Sequence, residues 1–255
     1  MKRAALSRVG RIDLVDVQAI SDNLGRDFIP HPFVVSQPSP FDSYQEYENY
    51  LAAIPERLAR GDLSAFDQWI TSYLHAEIRV ECVVSMVGAP RGRLLAHRRG
   101  PLGFLAVQDS KDHVVEVYTV SAYDLGLAIA GSIALTNPGT HSRIIIPDLV
   151  RPPHGASAAD DFAVLRRERN AGSVSIPRSH VVRYTRIQSR WQPAREWGFD
   201  RSKKTVGYVC IKDDGDYIYA PGFDYLTPMT LSGLHNRVDE LIAEDVTRLR
   251  HSRDA

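Results

Sequence analysis

The sequence predicts an α+β fold made of two similar halves, each an antiparallel β-meander followed by a helix, in a pseudo-two-fold arrangement with a central sheet flanked by helical regions. Three observations predict it. From Glu77 to Leu135 four short strand-like runs are joined by turns short enough to link only antiparallel neighbours, and a helical run follows at once. The same order of strands, turn, strands and helix recurs from His180 onward. Between the two units, Thr136 to Arg178 carries Pro138, Pro147, Pro152, Pro153 and Pro177 and reads as a linker. The division expected is an N-terminal half over 11–135, a linker over 136–178 and a C-terminal half over 179–255, all within one domain spanning 1–255.

At the front of the chain Asp13 is placed to cap a helix whose Leu14, Val17, Ile20 and Leu24 share a face, with Gly25 at the stop position. Four prolines between Phe28 and Pro40 deny regular hydrogen bonding and predict an extended connector. Ser43-Tyr-Gln-Glu46 is a capping box for a helix with Tyr44, Tyr47, Leu51, Ile54 and Leu58 on one stripe, ending at Gly61. Pro55 inside that stripe predicts a kink, or two helices meeting at Ile54. A further helix is expected after Asp62, with Leu63, Phe66, Ile70 and Tyr73 or Leu74 inward.

The run Glu77 to Met86 alternates with period two, so Ile78, Val80, Cys82, Val84 and Met86 share one face and Glu77, Arg79, Glu81 and Ser85 the other, as in a half-buried strand. Val87 to Gly92 supplies turn residues; strands follow at Arg93–Arg99, Gly103–Gln108 and Val114–Val120. Ser121 and Asp124 then fit the start of a helix through Leu125, Ala128, Ile129 and Ile133. Within the linker, Arg143-Ile-Ile-Ile reads as a short strand closing the first unit, and Ser157 with Asp160 as the cap of a brief helix through Phe162, Leu165 and Arg166. In the second half, Val181–Trp191 and Lys204–Lys212 read as strands. Asp213-Asp-Gly-Asp is a hairpin turn, Tyr217–Ala220 returns, and a capped helix with Leu231, Leu234, Val238 and Leu241 on one stripe closes the chain.

Composition bounds the function. Lys and Arg number 31 and so do Asp and Glu, which leaves no net field to draw the molecule to nucleic acid or to an anionic membrane. No apolar run approaches the roughly 20 residues that span a bilayer, and the first residues lack a signal-peptide segment, so a soluble, cytoplasmic protein without membrane insertion is expected. Cys82 and Cys210 sit in strand-like runs and read as small buried hydrophobes. No metal, cofactor or catalytic residue is assigned. The nine histidines form no ligand pattern, and no P-loop, dinucleotide fingerprint or nucleophile elbow occurs. Asp213, Asp214 and Asp216 fit a hairpin turn better than a calcium loop, which would need a closing glutamate. Arg91, Arg93, His97, Arg98 and Arg99 make a basic hairpin, read first as a solvated edge kept from aggregating by its charges and otherwise as a site for an anion or an acidic partner.

The order of segments resembles the EspG family, the cytosolic chaperones of type VII (ESX) secretion. The likeness rests on the front helix followed by Phe28-Ile-Pro-His-Pro, on Leu58-Ala-Arg-Gly-Asp-Leu63 and Glu77-Ile-Arg-Val-Glu81, on Arg98 to Asp109 above all, and on the Asp214-Gly-Asp-Tyr-Ile218 hairpin with the terminal helix. It departs at Asn170-Ala-Gly-Ser-Val-Ser, where many relatives carry a glycine-rich segment. The resemblance implies a binding protein, not an enzyme, that grips the PPE subunit of a PE–PPE heterodimer and keeps the pair soluble for secretion, acting as a monomer or weak homodimer. It points to the hairpin residues Met86, Val87, Ala89, Arg91 and Arg93 and to Leu234, Arg237 and Val238 on the terminal helix as partner contacts. The alternative from the residues alone is a small-molecule-binding or enzymatic α+β protein with its site in a groove between the halves.

Overall fold

The computed structural model describes residues 4–26, 28–109, 111, 113–147, 149, 172–191, 199–200, 203–222 and 224–253. Strand β1 (Ser7–Asp13) leads into helices α1 (Leu14–Asn23), α2 (Tyr44–Arg60) and α3 (Asp67–Leu74). The first meander is β2 (Ile78–Met86), β3 (Ala89–Arg99), β4 (Leu102–Asp109) and β5 (Val114–Ser121), followed by α4 (Leu125–Ser132). Then come β6 (Ile144–Ile145), β7 (Val174–Ser175), β8 (Val181–Trp191), β9 (Val206–Ile211), β10 (Gly215–Tyr219), β11 (Leu226–Pro228) and α5 (Leu231–Arg253).

Among the described residues eleven strands form one sheet, in the order β1-β5-β4-β3-β2-β8-β9-β10-β11-β6-β7. The seam is β2 against β8, antiparallel from Ile78 opposite Trp191 to Met86 opposite Arg183. The α+β class therefore holds, with a single, mostly antiparallel sheet running through both stretches of chain. On one face Ile78, Val80, Cys82, Leu94 and Ala96 pack under α4 and α5 through Leu125, Ile129, Leu234 and Val238. On the other face Leu95, Phe104, Ala106, Val115 and Val117 pack under the α1–α3 layer through Val17, Ile54 and Trp69. A third cluster, with Val209, Tyr217, Tyr219 and Leu226, lies further along the sheet.

This layering corrects the half-buried reading of β2. Arg79 and Glu81, on its supposed solvent face, are 3% and 1% exposed, because β2 is a central strand with cover on both sides. Strand β1 was missing from the sequence reading; it pairs with β5, and its alternation is broken by an irregularity between Arg8 and Gly10. Helix α2 continues through Pro55 instead of dividing at Ile54. The backbone bond lost at proline costs about 3 kcal/mol, and burial of Ile54 with the packing of Leu51 and Leu58 returns a comparable amount, at about 1.5–3 kcal/mol for a fully buried aliphatic side chain. The capping box forms in part: Glu46 N–H donates to Ser43 Oγ at 3.2 Å, while the Glu46 carboxylate accepts from Asp42 N–H at 2.9 Å. Tyr44 and Leu24, expected inward, are 75% and 43% exposed at element ends.

The stretch after α4 also differs from a bare linker. Strand β6 pairs with β11 and β7, at the far edge of the second stretch of sheet, and does not close the first unit. Residues 136–140 dock on β10. Thr136 donates to Asp216 Oδ2 through its N–H at 2.5 Å and its hydroxyl at 3.0 Å, and Arg183 Nη2 donates to Asp216 Oδ1 at 2.8 Å. Thr140 N–H and Oγ1 each donate to Asp214 Oδ1 at 2.8 Å. Asp214 in the turn and Asp216 on β10 thus clamp the incoming chain, and among the described residues no group of His, Cys, Asp and Glu side chains could hold a metal ion. Cys82 and Cys210 are free and buried, as the sequence predicts. The helix expected at 157–166 lies outside the described residues.

Candidate functional site

The hairpin between β2 and β3 is built from a tighter turn than the sequence suggested. Met86 sits opposite Ala89, so only Val87 and Gly88 form the turn, with Gly88 at φ +71°, a conformation glycine adopts without a Cβ penalty. Ala89, Pro90, Arg91 and Gly92 are therefore strand residues. Strand β3 meets β4 only from Arg93, opposite Gln108, so Pro90 lies beyond that pairing, where its missing N–H leaves the ladder intact. On the other side Val87 N–H donates to Val182 O at 3.0 Å and Met86 faces Arg183. The tip is braced by β8 and projects past β4. It presents apolar surface, with Met86 44% and Val87 79% exposed, beside exposed Ala89 and Arg91. Arg93 is half-buried, and burial together with the neighbouring Arg91 charge lowers its pKa.

The residues expected on the terminal helix divide. Leu234 and Val238 are fully buried in the core under α4 and the sheet, which removes them as contacts for a foreign partner. Periodicity identified the correct stripe of α5, and the resemblance assigned that stripe to a partner where the structure gives it to the core. Arg237 lies on the flank of that stripe and pairs with Glu240 at 3.5 Å. The basic hairpin also divides: His97 is fully buried, stacked on Phe104 at 5.4 Å with Tyr73 edge-on at 5.7 Å, and burial pushes its pKa down to about 3.

Two features escaped the sequence. Across the seam Arg190 Nη1 donates to Glu81 Oε1 at 3.2 Å and Oε2 at 3.4 Å, both side chains being nearly fully buried. Arg79 stacks over the Tyr73 ring at 3.9 Å and donates to Tyr73 O at 2.9 Å. His31, from the proline-rich connector, reaches within 4.0 Å of Glu81 and meets Phe199 edge-on at 5.5 Å. Burial pushes Glu81 up to about 7, against the pull of Arg190 and Arg79, and pushes His31 down to about 4, helped by Arg190 and Arg93. Nothing in the alternation distinguishes this buried pair from two solvated charges.

The second feature is an open groove of about 730 Å³ between the β3–β4 turn, the start of α4 and the C-terminal part of α5. Glu77, Arg98, Asp239 and Arg250 stand among its apolar walls. It lies at the start of β2, so the length of that strand, about 30 Å at about 3.3 Å per residue, separates it from the hairpin tip. No protein-family model matches the chain, and no curated protein matches it. Among the described residues no helix is long and apolar enough to cross a membrane.

Proposed function

We propose that the chain is a cytosolic, partner-binding chaperone of the kind its resemblance implies, which holds the PPE subunit of a PE–PPE heterodimer and keeps the pair soluble for type VII secretion. The observation that carries this reading is the β2–β3 tip: a hairpin paired to β8, with Met86 and Val87 exposed and arginines alongside. An exposed apolar point on a braced strand end suits docking against another protein's apolar surface, with the cations at its rim setting orientation. The two meanders meet through their first strands, β2 and β8, and each is followed by a helix on the same face of the sheet, so they are read as halves related by a pseudo-two-fold axis. With Leu234 and Val238 assigned to the core, the contact set is Met86, Val87, Ala89, Arg91 and Arg93, with Arg237 secondary.

Co-expression with the PE and PPE pair encoded nearest to it, followed by size exclusion, tests the reading. The wild type co-elutes with the pair. Val87→Asp and Ala89→Asp keep the circular-dichroism spectrum and melting temperature of the wild type, since both positions are exposed, and lose the complex. Absence of a complex with the wild type would sink the reading; folded variants that still co-elute would place the contact elsewhere.

A further inference from the structure

We infer that the groove beside α5 is a binding site for a small anionic amphiphile, a carboxylate on an apolar chain. This goes beyond the partner reading and uses a different surface. The groove, about 730 Å³, falls within the roughly 300–1,000 Å³ typical of small-molecule sites. Its floor is apolar: Ala122, Leu125 and Leu249 are 3%, 1% and 6% exposed, and Ile242 and Val246 complete the wall as partly buried side chains packed on the core. Such a floor takes a hydrocarbon chain and releases water from it.

The charges around the floor select the head group. Both carboxylates already have partners: Glu77 Oε2 accepts from Gly100 N–H at 3.3 Å, and Asp239 Oδ2 pairs with His235 at 2.8 Å. Asp239 also packs against the start of α4, where a Cβ at Gly126 would lie 2.1 Å from its Oδ1. The two guanidiniums are less engaged. Arg98 donates to Ala122 O only at 3.5 Å. Arg250 is exposed on the last turns of α5 and has no ion-pair partner among the described residues. The unmet hydrogen-bonding capacity at the groove is therefore cationic. A carboxylate between Arg98 and Arg250 would accept charge-assisted bonds from both.

Decanoate, kept below its micellar concentration, is the probe, followed by amide chemical shifts and calorimetry on the full chain. The expected result is saturable binding with shifts centred on Ala122, Leu125, Ile242, Val246 and Leu249. Decyltrimethylammonium, with the same chain and the opposite charge, binds at least about tenfold more weakly, a difference of about 1.4 kcal/mol. Arg250→Gln, an exposed change that spares folding, weakens decanoate about fivefold or more, and Arg250→Lys restores most of it. Equal binding of the two head groups would reduce the groove to an unselective apolar surface and overturn the inference. So would shifts located elsewhere, or an Arg250→Gln variant that loses stability at the end of α5 without losing decanoate.

Discussion

Replacing Glu81 by Gln should change the pH dependence of stability in a defined direction. Glu81 is 1% exposed at the β2–β8 seam, faced by Arg190 from β8, Arg79 from its own strand, His31 from the connector and Lys203 beyond β8. Burial outweighs those cations and raises its pKa from 4.5 to about 7. Below about 4.5 the carboxyl is protonated in both folded and unfolded chains, and above about 7 it is ionised in both. In between the folded chain holds more protons, so the Glu81 contribution to stability is complete below about 4.5 and is lost as pH rises to about 7. At about 1.36 kcal/mol for each tenfold change in proton affinity, the loss is about 3 kcal/mol. Gln has nearly the same shape, still accepts from Arg190, and cannot ionise. Urea unfolding of both proteins from about pH 4.5 to about 7.5 should show the variant gaining on the wild type by up to about 3 kcal/mol, with an unchanged m-value. Taking the difference between the two cancels the histidines remote from the seam, and repeating the pair of measurements in a His31→Gln background removes the one that faces Glu81. Parallel stability curves across that range would refute the reasoning.

Two further outcomes follow from the same geometry. His97, held down to about 3 by burial, makes the folded chain bind fewer protons than the unfolded one, so its contribution is present above about 6.5 and is lost as pH falls toward 3. His97→Phe should therefore raise the melting temperature relative to wild type more at about pH 5 than at about pH 8; an equal shift at both would exclude the titration. Gly139→Ala would place a Cβ 1.9 Å from the Tyr217 ring, where residues 136–140 dock on β10, and should cost about 1–3 kcal/mol in chemical denaturation. A neutral Gly139→Ala would mean that this docking yields at no cost.

Local chemistry made much of the fold readable in advance. Glycine and proline at Gly100-Pro101 and the Asp-Gly pair at 214–215 mark the hairpin turns, the alternation from Ile78 to Met86 marks a strand, and Ser43 marks the start of α2. The candidate tip was legible for the same reason, since Val87-Gly88 is a turn whatever surrounds it. Its extent was not: Ala89 to Gly92 became strand because β2 was there to pair with, a contact that propensity does not encode.

What the sequence determined by itself is the set of local units, meaning which residues share a strand face, which form helical stripes and where the chain turns. What tertiary structure alone decided is what covers each face. Period two places Arg79 and Glu81 together but cannot say that Tyr73 of α3 will lie over the one and His31 of the connector over the other, and helical spacing places Leu234 and Val238 together but cannot say that α4 and the sheet will fill that side. The seam between β2 and β8 joins residues about a hundred positions apart, as in the Arg190–Glu81 pair. That pairing rests on burial and on backbone bonds completed across the whole chain, so it exists only once the sheet is assembled.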